Sequence, residues 1–200
     1  MGGKMRRVQF LRGGAAALVG GIGGSFLTAA PRRASAGVGI PNVPVIDQNG
    51  RRLRFYDDLV RDRALLINFF FTSCGDTCPL VTQNLREVQD LLTARIGRDI
   101  FMYSVSLQPE LETPAMLKDY ADQWDVRPGW RFLTGEAKDI EQLRRALGFA
   151  SDDPSYDRVK DNHTGLVRYG NDRLERWAGT AGMGRPAWIA RAVTALADMG

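Results

Sequence analysis

Two cysteines and one histidine are the residues of this chain whose types and spacing could do the most chemistry. Cys74 and Cys78 are the only cysteines and His163 is the only histidine among 200 residues. Residues four apart are neighbours on a helix surface, so a helix beginning near Cys74 would put both sulfurs on one face. Two thiols placed so can close a disulfide or chelate a soft metal. A helix N-terminus stabilises negative charge, and so favours the thiolate that both metal binding and thiol exchange require. An imidazole arriving from a distant loop would complete a set of two sulfurs and one nitrogen. Thiolates favour Cu(I), and imidazole with thiolate also accommodates Cu(II). Zinc competes for the same donors, but its structural sites usually take four protein ligands, and the sequence offers no evident fourth.

The elements around these residues alternate. Val45 to Leu53 reads as two short strands about an Asn49-Gly50 turn, a strong hairpin signal. Ala64 to Phe71 is nearly continuous apolar sequence ending in Thr72-Ser73-Cys74-Gly75, which suits a central strand buried on both faces. Val81, Leu85, Val88, Leu92 and Ile96 then recur at helical spacing, with Gly97 as the stop. Ile100 to Leu107 predicts a second buried strand, and Thr113-Pro114 opens a helix carrying Leu117, Tyr120, Ala121 and Trp124. Trp130 to Leu133 predicts a third strand, and Ile140, Leu143 and Leu147 a helix closed by Gly148. Thr164 to Tyr169 and Leu174 to Trp177 form a hairpin about Gly170-Asn171-Asp172, and a last helix starts near Arg185-Pro186. This order defines an α/β fold with a central, mixed β-sheet flanked by helices and an N-terminal β-hairpin. The stretch from Gly148 to Asn162 has no periodicity and reads as a loop leading to His163. Loops on a rigid sheet often carry function.

Residues 1–36 read as an export signal, leaving 37–200 as the folded domain. A basic start with Arg6, Arg7 and Arg12 precedes small, weakly apolar residues from Gly13 to Ala30, and Ala34-Ser35-Ala36 supplies a small-x-small cleavage pattern. Arg6 to Arg12 is similar to a twin-arginine signal one residue out of register. The domain is therefore expected outside the cytoplasm, periplasmic or anchored at the membrane through an uncleaved leader. The six basic residues of this segment (Lys4, Arg6, Arg7, Arg12, Arg32, Arg33) have no acidic counterpart, so the full-chain net charge of +4 leaves about −2 for the domain. The chain's basicity belongs to the leader and makes no case for a nucleic-acid partner.

The stretch Phe69 to Pro79, with Cys74-Gly75-Asp76-Thr77-Cys78-Pro79 at its end, resembles the Cys-x-x-x-Cys-Pro motif of Sco/SenC copper chaperones. Asp161-Asn162-His163-Thr164 resembles their histidine motif, and the likeness extends over most of residues 42 to 198. It implies a thioredoxin-like fold, one copper ion per chain as Cu(I), Cu(II) or both, and Cys74, Cys78 and His163 as its ligands. The implied role is a metallochaperone that hands copper to a cytochrome oxidase subunit or another exported cuproenzyme; the domain is otherwise expected to be a monomer. Four positions depart from the family pattern: Gly75 replaces proline, Thr77 an apolar residue, Gln108 an aspartate, and Asn162 an acidic neighbour of the histidine. The last two remove charge near the expected site.

The competing reading is a thiol–disulfide oxidoreductase in which Cys74 and Cys78 cycle between dithiol and disulfide to keep a partner's cysteines reduced. A purely structural disulfide is a poor explanation, because so short a loop constrains the unfolded chain weakly. A peroxiredoxin-type peroxidase needs a threonine three residues before its cysteine, where Phe71 stands. Asp76 reads as an acid favouring the first helical turn, Asp161 as part of a polar loop, and Trp124, Trp130 and Trp177 as core aromatics. The Arg144-Arg145 and Asp152-Asp153 pairs read as solvated faces.

Overall fold

The computed structural model describes residues 39–200. The leader read from residues 1–36 lies outside them. Seven strands, β1 (Pro44–Asp47), β2 (Arg52–Arg54), β3 (Ala64–Phe70), β4 (Ile100–Ser106), β5 (Trp130–Thr134), β6 (Leu166–Asn171) and β7 (Arg176–Ala181), form one sheet in the order β2-β1-β5-β4-β3-β6-β7. Among the described residues five α-helices accompany them, α1 (Thr77–Leu91), α2 (Pro114–Gln123), α3 (Ala137–Ala146), α4 (Pro154–Asp157) and α5 (Pro186–Asp198), with a π-helical segment at Phe55–Val60.

The sheet is mixed, as the element order implies. β3 runs parallel to β4 and β4 to β5, while β6 pairs antiparallel with β3 and the β1–β2 hairpin joins antiparallel to β5. Every residue of β3 is buried. Its apolar run is continuous because both faces are covered. Successive side chains of a strand point to opposite faces, and Phe69 meets Phe149 at 4.6 Å between ring centroids while Phe70 meets Tyr120 of α2 at 5.3 Å. Polar groups inside the sheet are paired: Trp130 Nε1 donates to Ser104 Oγ at 2.9 Å, and Ser104 Oγ donates to Asn68 Oδ1 at 2.7 Å. Thr113 caps α2 through its side chain, as read from Thr113-Pro114.

Three details differ from the sequence reading. Helix α1 ends at Leu91, short of Ile96 and Gly97, and the intervening residues form turns. Gly97 (φ +83°) lies directly against Gly129 (φ +97°), where a Cβ would stand 2.5 Å from the Gly97 nitrogen. That close approach needs glycine on both sides, so the chain leaves the helix early to make it. Second, the stretch after Gly148 contains α4 and a 3-10 turn, Lys160–His163. Asp153 nucleates α4 by accepting from the amides of Ser155 and Tyr156, with Pro154 in its first turn. The capping residues were present in the sequence, but four residues are too few to show a period. Third, Arg144 is buried. It stands on the same helical stripe as Ile140, Leu143 and Leu147, so the solvated face belongs to Arg145 alone.

Topology brings two loops to one edge of the sheet. The turn after β3 carries Cys74, and the 3-10 turn just before β6 carries His163. Because β6 is the antiparallel neighbour of β3, with Asn68 opposite Val167, the end of one strand and the start of the other lie side by side. Ligand sites of open α/β sheets commonly sit at the carboxyl ends of their strands.

Candidate metal centre

Cys74 precedes α1 rather than opening it. Its amide donates to Phe71 O at 3.2 Å in a tight turn, and the helix begins at Thr77 with Asp76 at its cap. Asp76 makes no side-chain capping bond. The sulfur of Cys74 takes part of that role: the Cys78 amide donates to Cys74 Sγ at 3.3 Å. The dithiol is thus placed at the helix N-terminus as expected, by a turn and a first helical residue instead of by one continuous helical face. Both thiols are free and buried, Cys74 at 7% and Cys78 at 1% exposure.

Burial pushes the Cys78 thiol far above its ordinary range, and the nearby Cys74 sulfur adds to the shift; the Phe71 backbone and the Thr164 side chain oppose it through hydrogen bonds. A metal entering here must displace that proton, so binding would release it. Tyr120, whose hydroxyl bonds Thr82 at 2.9 Å, is likewise pushed up, to about 12, chiefly by burial.

The turn that carries Cys74 is anchored from β4. The buried carboxylate of Glu112 accepts from the Thr72 amide through one oxygen and from Ser106 Oγ through the other, and Gln108 donates its amide to Ser106 Oγ at 3.0 Å. Gln108 therefore touches the site's support through its backbone, and its departure from the family's aspartate leaves that contact intact.

The histidine segment meets the dithiol through Asp161, two residues before His163. Cys74 Sγ donates to Asp161 Oδ1 at 3.6 Å, and Thr164 Oγ1 donates to the Asp161 main-chain oxygen at 2.9 Å. Asp161, an exposed member of this polar turn as read from the sequence, also reaches the Cys74 sulfur and does not serve the imidazole. The ring itself points elsewhere. His163 Nε2–H donates to the main-chain oxygen of Asp157 at 3.0 Å, with Arg144 Nη1 at 3.4 Å and Asp157 Oδ1 at 3.5 Å. Among the described residues no group of three or more Cys, His, Asp or Glu side chains converges closely enough to hold a metal ion in this conformation. The structure brings together the two cysteines and the Asp161 side chain of the histidine turn, and leaves His163 6% exposed with its ring in a different contact.

Sequence reasoning missed Arg144, Asp157 and Glu112. The position of Arg144 on an apolar helical stripe was a usable signal for its burial. Asp157 and Glu112 carried none, since Arg144 lies 13 residues from the first and Thr72 lies 40 from the second.

Fold and dithiol together define a thioredoxin-like protein with its cysteines at the strand-to-helix turn of β3 and α1. The comparisons with known proteins narrow this. The SCO1/SenC family model matches residues 43–171, and the chain belongs to that family. It is 30% identical over 130 residues to an SCO2-like protein of Rickettsia felis, covering 62% of this chain and 61% of that one. Among solved structures, copper-bound ScoI of Bradyrhizobium japonicum superposes with a TM-score of 0.60 at 23% identity, covering 78% of this chain and 99% of that one. BsSco, described as having a disulfide switch and as a member of the Sco family of cytochrome c oxidase assembly proteins, gives 0.64 at 23% identity, covering 80% and 95%. The chain spans about half to three-fifths of the length of curated relatives that it matches, 52% and 61% for two of them.

Proposed function

We propose that this chain is an exported copper-binding metallochaperone that holds one copper ion between Cys74, Cys78 and His163 and passes it to a cytochrome oxidase subunit or another cuproenzyme. The observation that carries the reading is the contact of Asp161, two residues before His163, with the sulfur of Cys74. To add nitrogen to the two sulfurs, the ring would have to leave its contact with the Asp157 main-chain oxygen. The chemistry of the donors suits copper: both sulfurs are soft, and the imidazole admits the higher oxidation state. A related ScoI was solved with copper bound. The buried dithiol would hold the ion away from water, and His163, which lies outside α1, would be the ligand that a partner could displace without unfolding that helix. Residues 1–36 would direct the domain to the periplasm, or hold it at the membrane facing that space.

Thiol–disulfide exchange is the second reading, favoured by the free, adjacent thiols and by the Cys78 amide that donates to Cys74 Sγ. Titrating the reduced full chain with Cu(I), in competition with a chromophoric chelator, separates the two. One ion per chain, with affinity lost in Cys74→Ala, Cys78→Ala and His163→Ala, supports the metallochaperone. Absence of binding, with disulfide exchange intact in His163→Ala, transfers the assignment to the oxidoreductase.

A further inference from the structure

Arg144 and Asp157 stand outside the proposed ligand set, yet they occupy the one nitrogen of His163 that has a partner. Arg144 grips the Asp157 carboxylate at two points, Nη1 to Oδ1 at 2.7 Å and Nη2 to Oδ2 at 2.6 Å. The same carboxylate accepts from the Ser151 amide at 2.7 Å. Arg144 is itself held by Glu141, at 2.8 and 3.0 Å, and by Phe149 O at 3.1 Å. The Asp157 carbonyl that receives His163 Nε2–H thus belongs to a residue fixed from α3 and from the chain leading to α4. Tyr156 closes the arrangement edge-on, 5.9 Å from the ring. A planar, two-point guanidinium–carboxylate contact gives geometric definition as well as attraction.

We propose that the Arg144–Asp157 pair is a latch that holds His163 withdrawn from the dithiol, so that copper capture by all three ligands requires the ring to leave Asp157. The inference rests on the ligand set proposed above. Its physical content is a two-position imidazole on a turn whose Asp161 already touches the Cys74 sulfur. A dithiol alone would meet the ion first, and the imidazole would join on release. The latch lowers apparent affinity by the fraction of molecules in which the ring is free, and the same contact would retake the ring when copper is passed on.

The test compares Cu(I) affinity of the reduced full chain and its Asp157→Asn variant, by competition with a chromophoric chelator. The neutral amide weakens the Arg144 grip at nearly constant shape, and affinity should rise by roughly three- to tenfold. In the His163→Ala background the same substitution should change nothing. Unchanged or weaker affinity in Asp157→Asn, or an equal gain without His163, overturns the latch while leaving the ligand set standing. If wild-type chain binds copper no better than His163→Ala, the ligand set fails, and the latch with it. A second readout needs no variant: the sole histidine gives one set of ring resonances by nitrogen-15 NMR. Nε2–H should be hydrogen-bonded in the copper-free chain and lose that bond when Cu(I) is added; its persistence in the loaded chain overturns the proposal.

Discussion

Cys74 Sγ stands 3.6 Å from the Asp161 carboxylate, 87 residues away in the chain. This contact ties the turn after β3 to the turn before β6, and it places the histidine segment beside the dithiol although the ring of His163 faces α4. Replacing Asp161 with alanine removes the tie while leaving both cysteines and the histidine in place. Hydrogen exchange at the amides of residues 160–164 should accelerate, with a stability loss of about 0.5–1 kcal/mol, the usual net worth of one such bond. Unchanged exchange in that turn would show the contact to be incidental.

Cys78 should behave as an inert thiol in the folded chain. Burial, reinforced by Cys74, raises its folded-state value well above the ordinary 9.0, so the neutral thiol is the form that the fold stabilises. That stabilisation is fully present below about pH 9, the unfolded value, and is lost as pH rises from there toward the folded value. Under reducing conditions wild-type chain should lose more stability between pH 8 and pH 10 than Cys78→Ser (values on the order of the thiol range). Iodoacetamide at neutral pH should label Cys78 only after denaturation.

The Asp157 carboxyl has the opposite sign. Hydrogen bonding to Arg144, then to the Ser151 amide, holds it well below the usual carboxylate range. Its contribution is present above that usual range and is lost as pH falls through the lower folded value. Asp157→Ala leaves a buried guanidinium with Glu141 as its remaining carboxylate partner, and should cost about 3 kcal/mol by urea denaturation at neutral pH. The deficit relative to wild type should shrink toward strongly acidic pH.

Glu112 supports the cysteine turn from a distance. Its carboxylate accepts from Thr72 and Ser106, and Glu112→Gln offers a donor where one of two acceptors is needed. A loss of about 1–3 kcal/mol is expected, together with faster alkylation of Cys74 in the native chain as the Thr72-Ser73 turn loosens. Stability and labelling both at wild-type levels would remove Glu112 from the account.

What the sequence disclosed follows from how local each signal is. The run Ala64 to Phe70 identified its strand because burial on both faces leaves no polar alternation to obscure it. Cys74, Cys78 and His163 could be joined only through the family likeness, and the strand pairing of β3 with β6 supplies the physical reason that their loops meet. The early end of α1 was hidden because it depends on Gly129, 32 residues beyond Gly97. Arg144 was misjudged because an arginine is normally solvated, and its burial requires carboxylates from α3 and α4 at once. The orientation of the His163 ring depends on Asp157, whose place is set by that same pair. Such contacts between distant residues leave no period to read.

The central claim is that two sulfurs and one imidazole nitrogen share a single copper ion. X-ray absorption on the reduced chain loaded with one equivalent of Cu(I) reports the donor atoms directly. The account predicts two sulfur donors and one nitrogen donor, with the nitrogen lost in His163→Ala. A spectrum with sulfur donors alone that is identical in wild type and His163→Ala would contradict it.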